Sequence, residues 1–126
     1  MRKYLKGIAV AIMLMMSVLV AGCADEHVDV VKEGYMRAYP GITVGYAFDN
    51  FFKDGTWESF ESEDHQRIVE FNGGATMMNK PVDVKVQFIV EGKNFRYHTT
   101  AINDKPAPNI IALALMDTVF EKAGQK

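Results

Sequence analysis

The sequence predicts an α+β fold: two N-terminal helices, a four-stranded antiparallel meander sheet and a C-terminal helix packed on the sheet. Three observations carry that expectation. Val44, Ala47, Phe48 and Phe51 fall at i, i+3, i+4 and i+7, the apolar stripe of an amphipathic helix. Val82, Val84, Val86, Phe88 and Val90 alternate with Asp83, Lys85, Gln87 and Ile89, the period of two that marks a half-buried strand. The third is the order of the patterns: helical ones first, then strands separated by short turns, then one more helix. Consecutive strands with short turns pair as a meander, and the helices cover one face of it.

Each element follows from its residues. Val28, Val31 and Tyr35 keep helical spacing and predict a first helix, weakened by Gly34. It is expected to end by Tyr39, because Pro40 disfavours a helical residue before it, and Pro40-Gly41 reads as a turn. Thr43 is suited to cap the second helix, and Asp54-Gly55 ends it and opens a turn. Trp57 to Glu61 is the first strand, Ser62-Glu63-Asp64-His65 a polar hairpin loop, and Gln66 to Asn72 the second strand. Gly73-Gly74 predicts a bulge or bend before Ala75 to Met78. The alternating run through Val90 is the third strand, with Ile89 alone spoiling its polar face. Glu91-Gly92-Lys93-Asn94 is a turn, and Phe95, Tyr97, Thr99 and Ala101 mark the fourth strand. Asn103 to Pro108 is a stiff loop, after which Asn109 caps a helix reaching Phe120 or Lys122. That helix carries Ile110, Ile111, Leu113, Leu115, Met116, Val119 and Phe120 on most of its sides, so it is expected to lie largely buried across the sheet.

The chain has 126 residues, 48% hydrophobic and 24% charged. That balance excludes a disordered tail, a collagen-like fibre and a strongly basic nucleic-acid binder. The apolar excess sits at the start. Met1-Arg2-Lys3-Tyr4-Leu5-Lys6 is a short basic head, and Gly7 to Gly22 is an unbroken apolar and small run, the layout of a secretory signal peptide. The run is short of the ~20 apolar residues that span a bilayer. It ends in Val20-Ala21-Gly22-Cys23, which resembles a bacterial lipobox. The resemblance implies diacylation of Cys23, cleavage between Gly22 and Cys23, and N-acylation of the new terminus. Val20 stands where leucine is more common, while Ala21 and Gly22 have the small size the peptidase requires. A cleaved signal with an incidental cysteine, or an uncleaved anchor, are the alternatives; neither uses the placement of the only cysteine in the chain.

On this reading residues 1–22 are a lipoprotein signal peptide, 23–27 the acylated cysteine and a short leash, and 28–126 a single α+β domain. Removing 22 residues from 126 leaves 104, enough for one small domain, with no second cysteine for a disulfide. Arg2, Lys3 and Lys6 leave with the signal, so 11 of the 14 basic residues remain against 16 acidic ones, a formal balance of −5. An acidic domain has no general attraction for nucleic acid or anionic headgroups, so attachment runs through the acyl chains, several of which anchor stably where one is marginal. Similarity to Gram-negative lipoproteins implies the outer membrane, because Ala24 rather than aspartate follows the cysteine. In a Gram-positive cell the same anchor implies the outer face of the plasma membrane.

A second resemblance covers most of the mature chain. Tyr39-Pro40-Gly41-Ile42-Thr43-Val44-Gly45, Ala47 to Phe52, Trp57, Phe60, Val69-Glu70-Phe71 and Asn103-Asp104 resemble a domain of small membrane-anchored bacterial proteins. That group implies a fold and no activity. The helix-then-meander layout is also similar, at the level of architecture, to lipoproteins that assist outer-membrane barrel assembly and to β-lactamase-inhibitor-type domains.

The residues give little sign of catalysis. His27, His65 and His98 have no ligand-type spacing, whereas zinc needs three or four converging ligands. Glu58, Glu61, Glu63, Asp64 and Glu70 cluster around the first hairpin without the ordered spacing of a calcium loop, and read as a solvated tip. Ser59, Ser62, Thr99 and Thr100 lack a nucleophile-elbow context, and Gly73-Gly74 lacks the lysine of a phosphate loop. The expectation is therefore a non-enzymatic protein-binding module, without metal or cofactor beyond the lipid on Cys23. Its partners are the membrane and an envelope protein, not nucleic acid. Phe52, Trp57, Met77 and Met78 are the candidate partner face, since surplus aromatics and pliable methionines suit protein contact. A second reading is an inhibitor or immunity-type lipoprotein whose Glu61, Glu63 and Asp64 plug the basic cleft of an envelope-attacking enzyme, with salt-sensitive binding. A third is an enzyme using His98 and Asp104.

Overall fold

The structure, a computed structural model, describes residues 25–124. Helix α1 (Glu26–Lys32) starts at Asp25, whose carboxylate accepts from the backbone N–H groups of His27 (3.0 Å) and Val28 (3.3 Å). Its other oxygen accepts from the Ser59 hydroxyl at 2.8 Å, tying the helix start to the sheet. Asp25, Glu26 and His27 are thus folded residues, and the expected leash over 23–27 shortens to what precedes Asp25. The helix buries Val28 and Val31 and stops at Lys32, well before Tyr39. Past its end only a glycine fits at position 34: a Cβ there would lie 2.4 Å from the Phe95 ring and 2.9 Å from the Val30 carbonyl. The chain turns instead into a small antiparallel ribbon, β1 (Tyr35–Met36) and β2 (Tyr39–Thr43). Pro40-Gly41 lies inside β2 and is not the turn, which falls at Arg37-Ala38. A two-stranded ribbon has only edge strands, where the missing N–H of proline is tolerated.

Helix α2 (Val44–Phe51) forms as its stripe requires. The Thr43 hydroxyl accepts from the Tyr46 N–H at 3.2 Å, a cap worth about 1 kcal/mol, and Val44, Ala47 and Phe48 are buried. The chain passes straight into β3 (Lys53–Glu61), so Asp54-Gly55 is no turn between elements. It is an irregularity within β3: the ladder slips between Lys53 and Thr56, and Asp54 has φ 53°.

The main sheet has five strands, not four, in sequence order: β3, β4 (Arg67–Met77), β5 (Lys80–Glu91), β6 (Asn94–Ile102) and the short β7 (Lys105–Pro106). All neighbours are antiparallel, so the meander is as expected with one strand added from the stiff loop. β4 runs unbroken through Gly73-Gly74, paired with β5 from Arg67↔Val90 to Met77↔Lys80; the expected bulge is absent from that ladder. Gly73 serves space instead. A Cβ there would meet the Phe52 Cβ and the Phe71 ring at 2.8 Å. Met78 and Asn79 form the β4–β5 turn, both at positive φ (53° and 67°). A bulge does occur in β6, where the pairing slips between Gln87↔Thr99 and Phe88↔Tyr97 and leaves His98 as the extra residue.

One face of the sheet makes the core. Val69, Phe71, Val84, Val86, Phe88 and Val90 join Val28, Val31, Val44, Phe48 and the last helix in a single buried cluster. α1 lies across β3 to β6, starting at Ser59 and ending beside Phe95. On the other face Ile68 pairs with Ile89 and both are buried, which gives Ile89 its reason to interrupt the polar face.

The last helix, α3 (Asn109–Gly124), departs most from expectation. The Pro108 carbonyl accepts from the Ala112 N–H at 2.9 Å, so Pro108 occupies the capping position and Asn109 is already helical. The buried stripe is Ala112, Leu115, Met116, Val119, Phe120 and Ala123. Ile110 and Leu113 lie outside it, 75% and 65% exposed, so the helix is not largely buried. Its nearest neighbours are α2 and β2 rather than the strands of the main sheet.

Candidate functional site

Gly22 and Cys23, where signal cleavage and lipidation are expected, lie outside the described residues, as do the rest of the expected signal peptide and Ala24. The described residues begin at Asp25. The Asp25 carboxylate is desolvated, yet the donors Ser59, Val28 and His27 hold it below its ordinary range.

The four candidate partner residues separate. Phe52 is only 6% exposed and packs on Phe48, Phe51 and Phe71, with centroids 5.4, 5.0 and 5.0 Å away. It belongs to the core and presents no surface. Trp57 is half-buried between Phe48 and Phe71, and its indole N–H donates to Asp49 at 3.0 Å. Met77 is half-buried, and Met78, 92% exposed, stands at the tip of the β4–β5 turn. The outward apolar side chains are thus Met78, Tyr35, Tyr46, and the Ile110–Leu113 turn of α3, which sequence reading had placed inside.

The other candidates stay dispersed. His27 sits in the first turn of α1, 3.8 Å from Asp25. His65, in the hairpin loop, has its Nδ1 3.1 Å from Glu61. His98 is exposed on the β6 bulge, while Asp104 sits in the β6–β7 turn, 4.0 Å from Lys85. No group of three or more metal-ligating side chains converges among the described residues. Glu61, Glu63 and Asp64 are exposed at the β3–β4 tip. Glu70 is not part of that tip; it is buried on the sheet, accepting from Asn72 at 3.0 Å and Gln87 at 2.8 Å.

One cleft gathers several kinds of group. Tyr39, in β2, stacks on Phe120 of α3 with centroids 4.3 Å apart and planes inclined by 3°. Its hydroxyl donates to the Asp117 carboxylate. Burial, and then the Asp117 anion, push the Tyr39 ionisation up to about 12. Gly41, Ile42 and Glu121 complete a surface cleft of about 430 Å³. Asp117 and Glu121 stand one helical turn apart beside the buried stripe of α3, and none of the ion pairs among the described residues reaches either of them. Sequence reading used Tyr39 as the limit of the first helix and missed its partner. The available signal was the pair of acids at i and i+4 in a largely apolar helix, where like charges repel by a few tenths of a kcal/mol. Other grooves include one of about 590 Å³ around Lys53, Asp54, Asp83 and Asn103, and one of about 310 Å³ between Tyr35–Ala38 and Phe95–Tyr97.

Compared with known proteins, the chain matches no family model, no curated protein and no solved structure.

Proposed function

We propose that the protein is an envelope lipoprotein, anchored by acyl chains on Cys23, that works by binding another protein rather than by catalysis. The observation that carries this reading is Val20-Ala21-Gly22-Cys23 behind a basic head and an apolar run. The fold supports it through proximity. Asp25 is already a structural residue, bonded to α1 and to Ser59, so only Ala24 separates it from the anchor. Successive Cα atoms are ~3.8 Å apart, so the Asp25 cap of α1 is held within about 8 Å of the acylated residue. Contact with a partner is supported by Met78 and by Ile110 and Leu113, apolar side chains turned outward on rigid elements. Location follows the anchor: the outer membrane in a Gram-negative cell, the outer face of the plasma membrane otherwise.

Metabolic labelling with an alkyne fatty acid tests the anchor. The wild-type chain is expected to be labelled, to fractionate with membranes, and to begin at a modified Cys23 by mass spectrometry. Cys23→Ser is expected to lose all three. A Cys23→Ser chain processed and membrane-bound like wild type would overturn the proposal. In-cell crosslinking then tests the binding role: one dominant envelope protein is expected with wild type and is lost with Cys23→Ser. The inhibitor reading is favoured by the exposed Glu61, Glu63 and Asp64 tip, and it differs in predicting capture that falls steeply with salt.

A further inference from the structure

The geometry points to the cleft between β2 and α3 as a receptor for a guanidinium group, presented as an arginine side chain by the protein partner. The inference deepens the binding reading by giving the partner's contact a chemistry. Four observations converge. The cleft is about 430 Å³, within the ~300–1,000 Å³ range of ligand sites and ample for one long side chain. Asp117 and Glu121 put two carboxylates on its α3 wall, and no cation among the described residues neutralises either. The Tyr39 ring, held against α3 in a parallel stack on Phe120, also lines the cleft. At Gly41 a Cβ would meet nothing within 4 Å, so the mouth is open where a side chain would enter.

These groups select among cations. A planar guanidinium stacks on an aromatic face and still offers its N–H fork to a carboxylate, whereas a lysine ammonium is a compact, strongly hydrated point charge. The Tyr39 hydroxyl donates to Asp117 and so holds that carboxylate beside the ring rather than out in water. Among the described residues Glu121 has no such tie, which leaves its exposed carboxylate to an arriving donor. An anionic ligand is repelled by the same pair, and a purely apolar one offers neither carboxylate a donor.

Titration of the full-length 15N-labelled chain in dodecyl maltoside micelles tests the assignment. The probes are N-acetyl-arginine amide, N-acetyl-lysine amide and N-acetyl-glutamine amide, the last of similar size and uncharged. The arginine probe is expected to give saturable shifts at Tyr39, Gly41, Ile42 and Glu121 with a dissociation constant in the millimolar range, about −4 kcal/mol. Lysine is expected to bind more weakly and glutamine not at all. Glu121→Gln, a change at an exposed position, is expected to weaken the arginine probe about threefold to fivefold, the worth of one exposed ion pair. Asp117→Asn with Glu121→Gln is expected to abolish saturation while the backbone spectrum elsewhere stays unchanged. Equal shifts from glutamine, no saturation with arginine, or undiminished binding in the double variant would each overturn the assignment. Acylation of Cys23 does not enter this readout, so failure here leaves the anchor standing, and failure of the labelling experiment leaves the cleft standing.

Discussion

Phe48 is the side chain whose loss should cost the fold most. It is fully buried, and five rings surround it: Phe71 at 5.0 Å, Phe52 at 5.4 Å, Trp57 at 5.7 Å, Phe88 at 5.9 Å and Phe120 at 6.2 Å between centroids. These come from the C-terminal cap of α2, three strands and α3, so one ring on α2 ties the helix to the sheet and to α3. Phe48→Ala removes about 2–3 kcal/mol of transfer free energy. The cavity adds to that, because rigid rings cannot collapse into the space as aliphatic chains can, which places the total near 4 kcal/mol. A domain of this size holds about 5–10 kcal/mol in all, so roughly half of it goes. At about 4–8 °C per kcal/mol the melting midpoint falls by ~15–30 °C. Trp57, the only tryptophan, is a neighbouring reporter, so urea unfolding followed by its fluorescence reads the change directly. Phe48→Leu keeps most of the volume and should cost about 1–2 kcal/mol. An alanine variant losing under about 1.5 kcal/mol at unchanged m, or a leucine variant as damaged as alanine, would refute the reasoning that this ring organises the core.

Two further predictions come from backbone and electrostatics. Met78 and Asn79 hold positive φ at both central positions of a two-residue hairpin, a conformation that asparagine accepts and methionine does not favour, so Met78→Asn should stabilise the protein by about 0.5–1 kcal/mol in urea unfolding. If Met78 also touches the partner, the same variant weakens crosslinking while raising stability. Tyr39 should lag behind the other tyrosines in an absorbance titration at 295 nm, with its ionisation at about 12 against an ordinary value of 10.0. The folded value is the raised one, so its contribution to stability is complete below pH ~10 and lost as pH climbs through 12. Asp117→Asn should bring the late ionisation down; a titration curve unchanged by that variant would show that Asp117 plays no part in it.

Local patterns were legible where one element decided its own fate. The Thr43 cap, the stripe of α2, the alternation of β5 and the turns after Glu61 and Glu91 all follow from spacing. The misreadings share a cause, which is a constraint arriving from a distant residue. Gly34 looks like a flaw within a helix until Phe95 is placed against it, and Gly73 looks like a bend until Phe52 and Phe71 occupy the space beside it. Of adjacent Phe51 and Phe52, it is Phe52 that goes fully inside, beside the space Gly73 leaves. α3 was over-buried in expectation because composition counts apolar residues without orienting them, and its partners α2 and β2 leave the Ile110–Leu113 side uncovered. The cleft was legible only in halves: Tyr39 and Asp117 stand 78 positions apart, and no local pattern joins them.

β3 leaves nine residues of one sheet edge without a partner strand among the described residues. Such an edge is a template on which a second chain can zip. On the proposed anchor the hazard would grow with confinement, because molecules spread on a membrane collide in two dimensions and at far higher local density than in solution. The left-handed kink at Asp54 breaks the straight run of free backbone groups near its start, and Lys53, Glu58 and Glu61 add charge along it. A surface crowded with this domain should therefore stay populated by separate molecules, where a smooth apolar edge of the same length would grow ribbons.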